Sequence, residues 1–265
     1  MNTTAITTDT IVYPESDGQP MADNTLQWDW MVKIVGELRE LFAGQEVFVA
    51  GDLFWYPVEG NPNIVQAPDV MVVFGRPPGY RGSYKQWEEG GIAPQVVFEI
   101  LSPRNTRDEM ANKLKFYQRY GVEEYYLIDP YKNTAMGWVR SNGEYVHVYP
   151  IDGYISPRLG IRFEESGGEL KLYTPEGREF VTREKRVEEI QEELRKTQLA
   201  FEEERQRALH AMQQIEAERQ RAEAEHQRAE AERQRAEAER AAKEALAAKL
   251  RELGLDPDSL LKPAS

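Results

Sequence analysis

Apolar residues in the first 180 positions fall into short, nearly continuous runs separated by Pro, Gly and polar clusters. Two of these, 67–74 and 95–103, are rich in Val, Ile and Phe and bounded by Pro or Gly, a pattern that predicts buried strands. Upstream, Asn24 can cap a helix over 25–42, with Leu26, Trp30, Ile34, Leu38 and Leu41 on one stripe. A strand is expected over 46–56 and a loop over 75–94. Past Pro103, Thr106 and Glu109 have the spacing of a capping box, so a helix should run to Tyr120 and stop at Gly121. Its apolar face holds Met110, Leu114 and Tyr117, with Phe116 and Tyr120 at the margin. The next strand is expected over 124–130, then strands over 135–139 and 145–148 joined through Asn142-Gly143 as a hairpin. This order of helices and strands predicts an α+β fold, a mixed sheet flanked by helices.

The pattern changes at Arg183. Gly and Pro disappear until Gly254, and a heptad dominated by Glu, Arg, Gln and Ala repeats from Glu218 to Ala238. A helix of about 70 residues would extend ~105 Å at 1.5 Å per residue. One stripe runs Val187, Leu194, Phe201, Ala208, Ile215, Ala222, Ala229 and Ala236, but its companion position is mostly polar. Two readings stay open: a dimeric coiled coil strongest over 187–215, and a lone helix supported by Arg219–Glu223, Arg221–Glu225, Arg228–Glu232 and Arg235–Glu239 pairs. The expected organisation is a lead-in over 1–24, a globular domain over 25–182, the charged helix or coiled coil over 183–253, and a tail over 254–265.

Charge narrows the partners. Residues 1–182 carry 16 basic against 26 acidic side chains, and 183–265 carry 17 against 20. That balance counts against strong sequence-independent DNA affinity, although Arg104, Arg107, Lys113, Lys115 and Arg119 form a local basic cluster. There are no cysteines, so disulfides, thiolate zinc sites and cysteine nucleophiles are excluded. No basic start with an apolar h-region and no span-length apolar run is seen, which leads to the expectation of a cytoplasmic protein.

The chemistry concentrates on two carboxylates. Asp69 stands at the mouth of one apolar run and Glu99 inside the next; a buried ionised Glu is costly unless a cation compensates it. Two carboxylates on neighbouring strands would offer oxygen ligands to a hard ion such as Mg²⁺, with Mn²⁺ as an alternative. Lys113 falls within the inward stripe of the 107–120 helix, where it needs an anionic partner. Each has a plainer reading: Asp69 as a turn residue, Glu99 as a satisfied buried carboxylate, Lys113 as a lysine whose ammonium reaches out to solvent. Asp52 and Glu15 are weaker candidates to line the same site. Arg81, Tyr84 and Trp87 could stack nucleotides, though an ordinary loop explains them better. His147 is the sole histidine before the charged segment, Ser102 lacks an elbow motif and no phosphate-binding Gly-rich loop occurs. Histidine metal sites, Ser-His-Asp triads and P-loop chemistry therefore lack material.

Taken as an ordered set, Glu15-Ser16-Asp17-Gly18-Gln19-Pro20-Met21, Ala67-Pro68-Asp69-Val70, Phe98-Glu99-Ile100-Leu101-Ser102-Pro103 and Lys113 through Tyr125 resemble the PD-(D/E)xK nuclease superfamily. Within it they are closest to a bacterial branch of restriction-endonuclease-like proteins, formerly a domain of unknown function. The resemblance spans roughly 13–180 and implies a restriction-endonuclease-like mixed-sheet core, followed here by the long C-terminal helix or coiled coil. One departure stands out: position 101, where the superfamily places its lysine, is Leu101. In this branch the lysine has moved to the following helix, where Lys113 matches. The resemblance implies that Asp69, Glu99 and the Ile100 carbonyl ligate Mg²⁺, and that Lys113 orients the attacking water or neutralises charge on the phosphoryl oxygens. DNA is the implied substrate, with 5′-phosphate and 3′-hydroxyl products. A non-catalytic binding module with the same fold, and a scaffold whose business is the long helix, are the competing functions.

Overall fold

The computed structural model describes residues 11–16, 18 and 22–254. Asp17 and residues 19–21 of the lead-in motif, and the tail beyond 254, lie outside the described residues. Contacts divide the chain into two units, Met1–Glu189 and Ile190–Ser265.

In the first unit, helix α1 spans Thr25–Leu41, and the Asn24 side chain accepts from the Gln27 N–H as its cap. Trp30, Ile34 and Leu38 are buried as expected, whereas Leu26 faces solvent and Gln27, Met31 and Glu37 are buried instead. The stretch expected as a single strand over 46–56 breaks in two, β1 at Val47–Ala50 and β2 at Trp55–Tyr56. Asp52 turns the chain between them with φ of 46°, and its N–H donates to the Pro68 carbonyl at 3.1 Å. Strand β3 is Val70–Phe74. The expected loop after it contains a two-residue strand, β4 (Tyr84–Lys85), which pairs in parallel with β2. Strand β5 is Val96–Ile100. Helix α2, Arg107–Tyr120, has the full Thr106/Glu109 capping box and ends at Gly121 with φ of 101°, a conformation that costs glycine little.

Strand β6 (Glu124–Asp129) follows, then β7 (Thr134–Ser141) and β8 (Glu144–Val148), joined through Asn142-Gly143 with positive φ at both residues. A second hairpin, β9 (Arg162–Ser166) and β10 (Glu169–Tyr173), was not anticipated from the sequence. The six-stranded sheet runs β1-β3-β5-β6-β7-β8 and is antiparallel except at β5–β6; α2 is the crossover that a parallel pair requires. Side chains alternate between its two faces. Trp30, Ile34 and Leu38 of α1, with Phe163, Leu170 and Leu172 of the second hairpin, cover one face. Tyr117 of α2 and the β2–β4 pair cover the other. Because both faces are buried, the central strands read as unbroken apolar runs.

Helix α3 spans Arg183–Glu252 and has no buried residue. Its first turn belongs to the globular unit: the buried Glu37 carboxylate is held by Arg178 at 2.9 Å and Arg186 at 3.0 Å, and it accepts from the Val181 N–H at 3.1 Å. In the second unit, Arg219–Glu223 closes at 3.4 Å, and Lys243–Glu239 at 2.8 Å adds a pair the repeat did not suggest. Leu194, Phe201 and Ile215 stand exposed along the heptad stripe.

Candidate active site

Strand register brings the two carboxylates together. β3 and β5 are antiparallel with Val70 opposite Phe98 and Met71 opposite Val97. Continuing that register by one residue sets Asp69 across from Glu99, and directly opposed side chains share a face. That face is the one α2 covers, and α2 projects Lys113 and Tyr117, one helical turn apart, onto Glu99. Lys113 Nζ donates to Glu99 Oε2 at 2.8 Å, and the Tyr117 hydroxyl donates to Glu99 Oε1. The structure thus joins Asp69, Glu99 and Lys113 in one place.

Both carboxylates are buried, Glu99 at 2% exposure and Asp69 at 8%. The backbone N–H of Ile100 donates to Asp69 Oδ2 at 2.6 Å. Even so, burial and the Glu99 charge push the Asp69 carboxyl up to about 8, against the opposing pull of the Ile100 N–H, Lys113 and Gln27. Burial alone would lower the Lys113 pKa, but the charge and hydrogen bond of Glu99 outweigh it and hold the ammonium above the ordinary lysine value. Tyr117 is pushed well above the usual phenol range by its burial and by Glu99. Among the described residues, one cation therefore faces two carboxylates, and it does not neutralise both.

Ile100 is in the expected place, but its carbonyl is engaged. Gln27 Nε2, from the first turn of α1, donates to that oxygen at 3.2 Å, while Gln27 Oε1 accepts the Asp23 N–H at 2.9 Å. Sequence reading passed over both Gln27 and the polar end of Tyr117. Gln27 occupies the third helical position after the Asn24 cap, where a Gln signals capping, and Tyr117 reads as an apolar-face residue.

A cleft of about 520 Å³ opens over the site, lined by Asp69 and Lys113 with Asp52, Tyr56, Pro14 and Ser16 among its walls. Asp52 thus borders the cleft from a turn. Glu15 is placed elsewhere: its carboxylate lies against Gly82. Arg81, Tyr84 and Trp87 are packing elements. Arg81 pairs with Glu89 at 2.5 Å and covers Phe48, Tyr84 is fully buried and donates to the Ile92 carbonyl at 2.7 Å, and Trp87 packs on Tyr13. Ser102 donates to Asp23 Oδ2 at 2.5 Å, and His147 lies against Trp138.

The donor set suits a hard divalent ion. No group of three or more His, Cys, Asp or Glu side chains with metal-holding geometry occurs among the described residues. Two carboxylates and a carbonyl fit Mg²⁺, which keeps several waters and completes its shell with substrate phosphate. The surplus negative charge, visible in the raised Asp69 carboxyl, is what such an ion would balance.

The family model Uma2, described as "Putative restriction endonuclease", matches residues 29–164, just over half of the 265-residue chain. The matched span contains Asp69, Glu99 and Lys113. A crystal structure from Anabaena variabilis ATCC 29413, described as "a putative nuclease belonging to DUF820", is similar at 18% identity with a TM-score of 0.38. That alignment covers 52% of this chain and 74% of that one. No curated protein matches the chain. On the family match, spanning both candidate strands and α2, the chain belongs to the Uma2 family.

Proposed function

We propose that this chain is a metal-dependent endonuclease that hydrolyses phosphodiester bonds of DNA. The observation that carries the reading is the pair of buried, opposed carboxylates, Asp69 and Glu99, with Lys113 on Glu99 and with Asp69 and Lys113 lining an open cleft. Family membership supports nuclease chemistry, and the donor set supports the ion. Asp69 and Glu99 would hold Mg²⁺, with the Ile100 carbonyl shared between the ion and the Gln27 amide. Bound there, the ion supplies Lewis acidity toward the scissile phosphate. Lys113 stays charged at neutral pH, so it cannot take a proton from water. Its contribution is electrostatic: orienting the attacking water, or neutralising charge that develops on the phosphoryl oxygens. The same ammonium is the ion-pair partner of Glu99 Oε2. Exposed α3 residues over 187–215 would pair two copies and so present two sites to one duplex.

The test is cleavage of supercoiled plasmid and of single-stranded DNA with Mg²⁺ or Mn²⁺, comparing wild type with Glu99→Ala and Lys113→Ala. Nicking by wild type that is lost in both variants is the expected result. A second reading, a non-catalytic binding module, draws on the fact that both Glu99 oxygens already have protein partners. Metal binding without cleavage of either substrate would favour it.

A further inference from the structure

Tyr117 looks like a core residue, and its ring is one. It is fully buried, stacked on Trp55 at 6.4 Å between centroids with 4° between planes, and tilted against Tyr125 at 5.3 Å. Phe116 closes on it edge-on at 5.9 Å. A ring wedged in this way has little freedom, so its hydroxyl is delivered to one point, Glu99 Oε1. One turn earlier on α2, Lys113 takes the other oxygen, Oε2.

The two grips differ in kind. Lys113 lines the cleft and hangs on a flexible stem, and the proposed reaction calls its ammonium toward the substrate. Tyr117 is sealed inside and has no other polar partner among the described contacts. The terminal torsion of a glutamate is broad and roughly two-fold, so a carboxylate held by the lysine alone would rotate each time the lysine moved. We infer that Tyr117 is a positioning residue: its hydroxyl fixes the rotation of Glu99, so that Oε2 stays turned toward the Lys113 side and the metal position whether or not Lys113 is engaged. This inference rests on the metal-site reading of Asp69 and Glu99.

Tyr117→Phe removes the hydroxyl and leaves the ring in its cage. Tyr125→Phe is the matched control, because the Tyr125 hydroxyl is equally sealed yet has no hydrogen-bond partner among the described residues. With the full chain, Mn²⁺ affinity is measured by calorimetry and folding by tryptophan fluorescence. Loss of a group that orients a ligand typically costs about 10- to 100-fold in metal affinity, and that loss is expected for Tyr117→Phe. Tyr125→Phe should match wild type within about twofold, since nothing in an outer-shell role is removed. Saturating Mn²⁺ should restore most of the nicking rate of Tyr117→Phe. In EDTA, Tyr117→Phe should lower the urea midpoint, and the loss should shrink in a Glu99→Gln background, where the charge-assisted bond is already gone. A merely structural tyrosine would shift the midpoint equally in both backgrounds and leave Mn²⁺ affinity untouched; either result overturns the inference. If folded wild type binds no Mn²⁺, the proposed function itself fails and takes this role with it. If wild type binds and Tyr117→Phe binds equally well, only the inference fails.

Discussion

Replacing Asp69 with Asn should make the metal-free protein more stable, and by an amount that depends on pH. Asp69 is held up to about 8 in the folded chain, from an ordinary value of 3.8. Between those values the folded state keeps a proton that the unfolded state has released. The unfolded state thus binds fewer protons, and stability falls as pH rises through the window. Each pH unit in it corresponds to about 1.4 kcal/mol, so wild type should lose about 4 kcal/mol between about pH 5 and pH 8 from this group. That figure is a ceiling, because the Asp69 shift depends on neighbouring charges that Asp69 itself perturbs. Asn carries no charge at any pH in the window and can still accept the Ile100 N–H, so its own contribution should be flat. Other titrating groups, such as the raised Glu124, are present in both proteins and cancel in the difference. All five tryptophans lie at or before Trp138, so fluorescence during urea unfolding in EDTA reports the globular unit alone. The midpoints should lie close together near pH 5 and separate by on the order of 1–2 M at pH 8, for a urea slope of ~2–3 kcal/mol/M. Parallel midpoint–pH curves for the two proteins would refute the electrostatic reading of the pair.

Four further outcomes follow from the same geometry. Saturating Mg²⁺ or Mn²⁺ should raise the melting temperature of wild type near pH 8, by an amount equivalent to ~2.7 kcal/mol at a hundredfold excess over Kd, and calorimetry should show the gain absent in Asp69→Ala. Lys113→Met should abolish nicking and cost about 3–5 kcal/mol in urea unfolding, because it leaves the Glu99 carboxylate, 2% exposed, without its cation. Thr106→Ala removes the cap of α2 and should cost ~1 kcal/mol by the same measurement. Residues 1–189 should be more stable in urea than residues 1–182 by about 1–3 kcal/mol, because only the longer piece retains Arg186 against the buried Glu37; light scattering of the whole chain beside 1–189 then tests whether α3 pairs copies.

Much of the core fold was legible because local signals agreed with it. Asn24, the Thr106/Glu109 box, Gly121 and Asn142-Gly143 each name a boundary by chemistry that acts within a few residues. Where the fold departs from expectation, the deciding contacts are distant. The 46–56 run breaks because the Asp52 N–H is recruited by Pro68, and β2 and β4 are two residues each, too short for any period to show. The second hairpin had a readable sign, Gly167-Gly168 between Phe163 and the alternating Leu170 and Leu172. Its polar positions, Glu164 and Lys171 on the outward face and Glu165 on the inward one, diluted the alternation below notice.

The site was legible to a different degree at each residue, and strand pairing explains why. Glu99 declares itself by being a charge inside an apolar run, and Lys113 by being a cation on an apolar stripe; both are contradictions that a sequence displays unaided. Asp69 sits outside its strand, where an aspartate is unremarkable. Only the antiparallel register of β3 and β5 turns it into the residue facing Glu99. Nothing in the intervening segment fixes that register. A parallel pairing would set residues 69 and 99 at opposite ends of their strands, with Asp69 entering one and Glu99 leaving the other. Tyr117 and Gln27 are hidden for the opposite reason, since each fully satisfies a local role, apolar face and helix cap. Their second role becomes visible only when the atoms at their far ends are traced to Glu99 and Ile100. In a buried site of this kind the charged residues are found by the conflict they create, and the neutral ones that hold them in place only by the partners they reach.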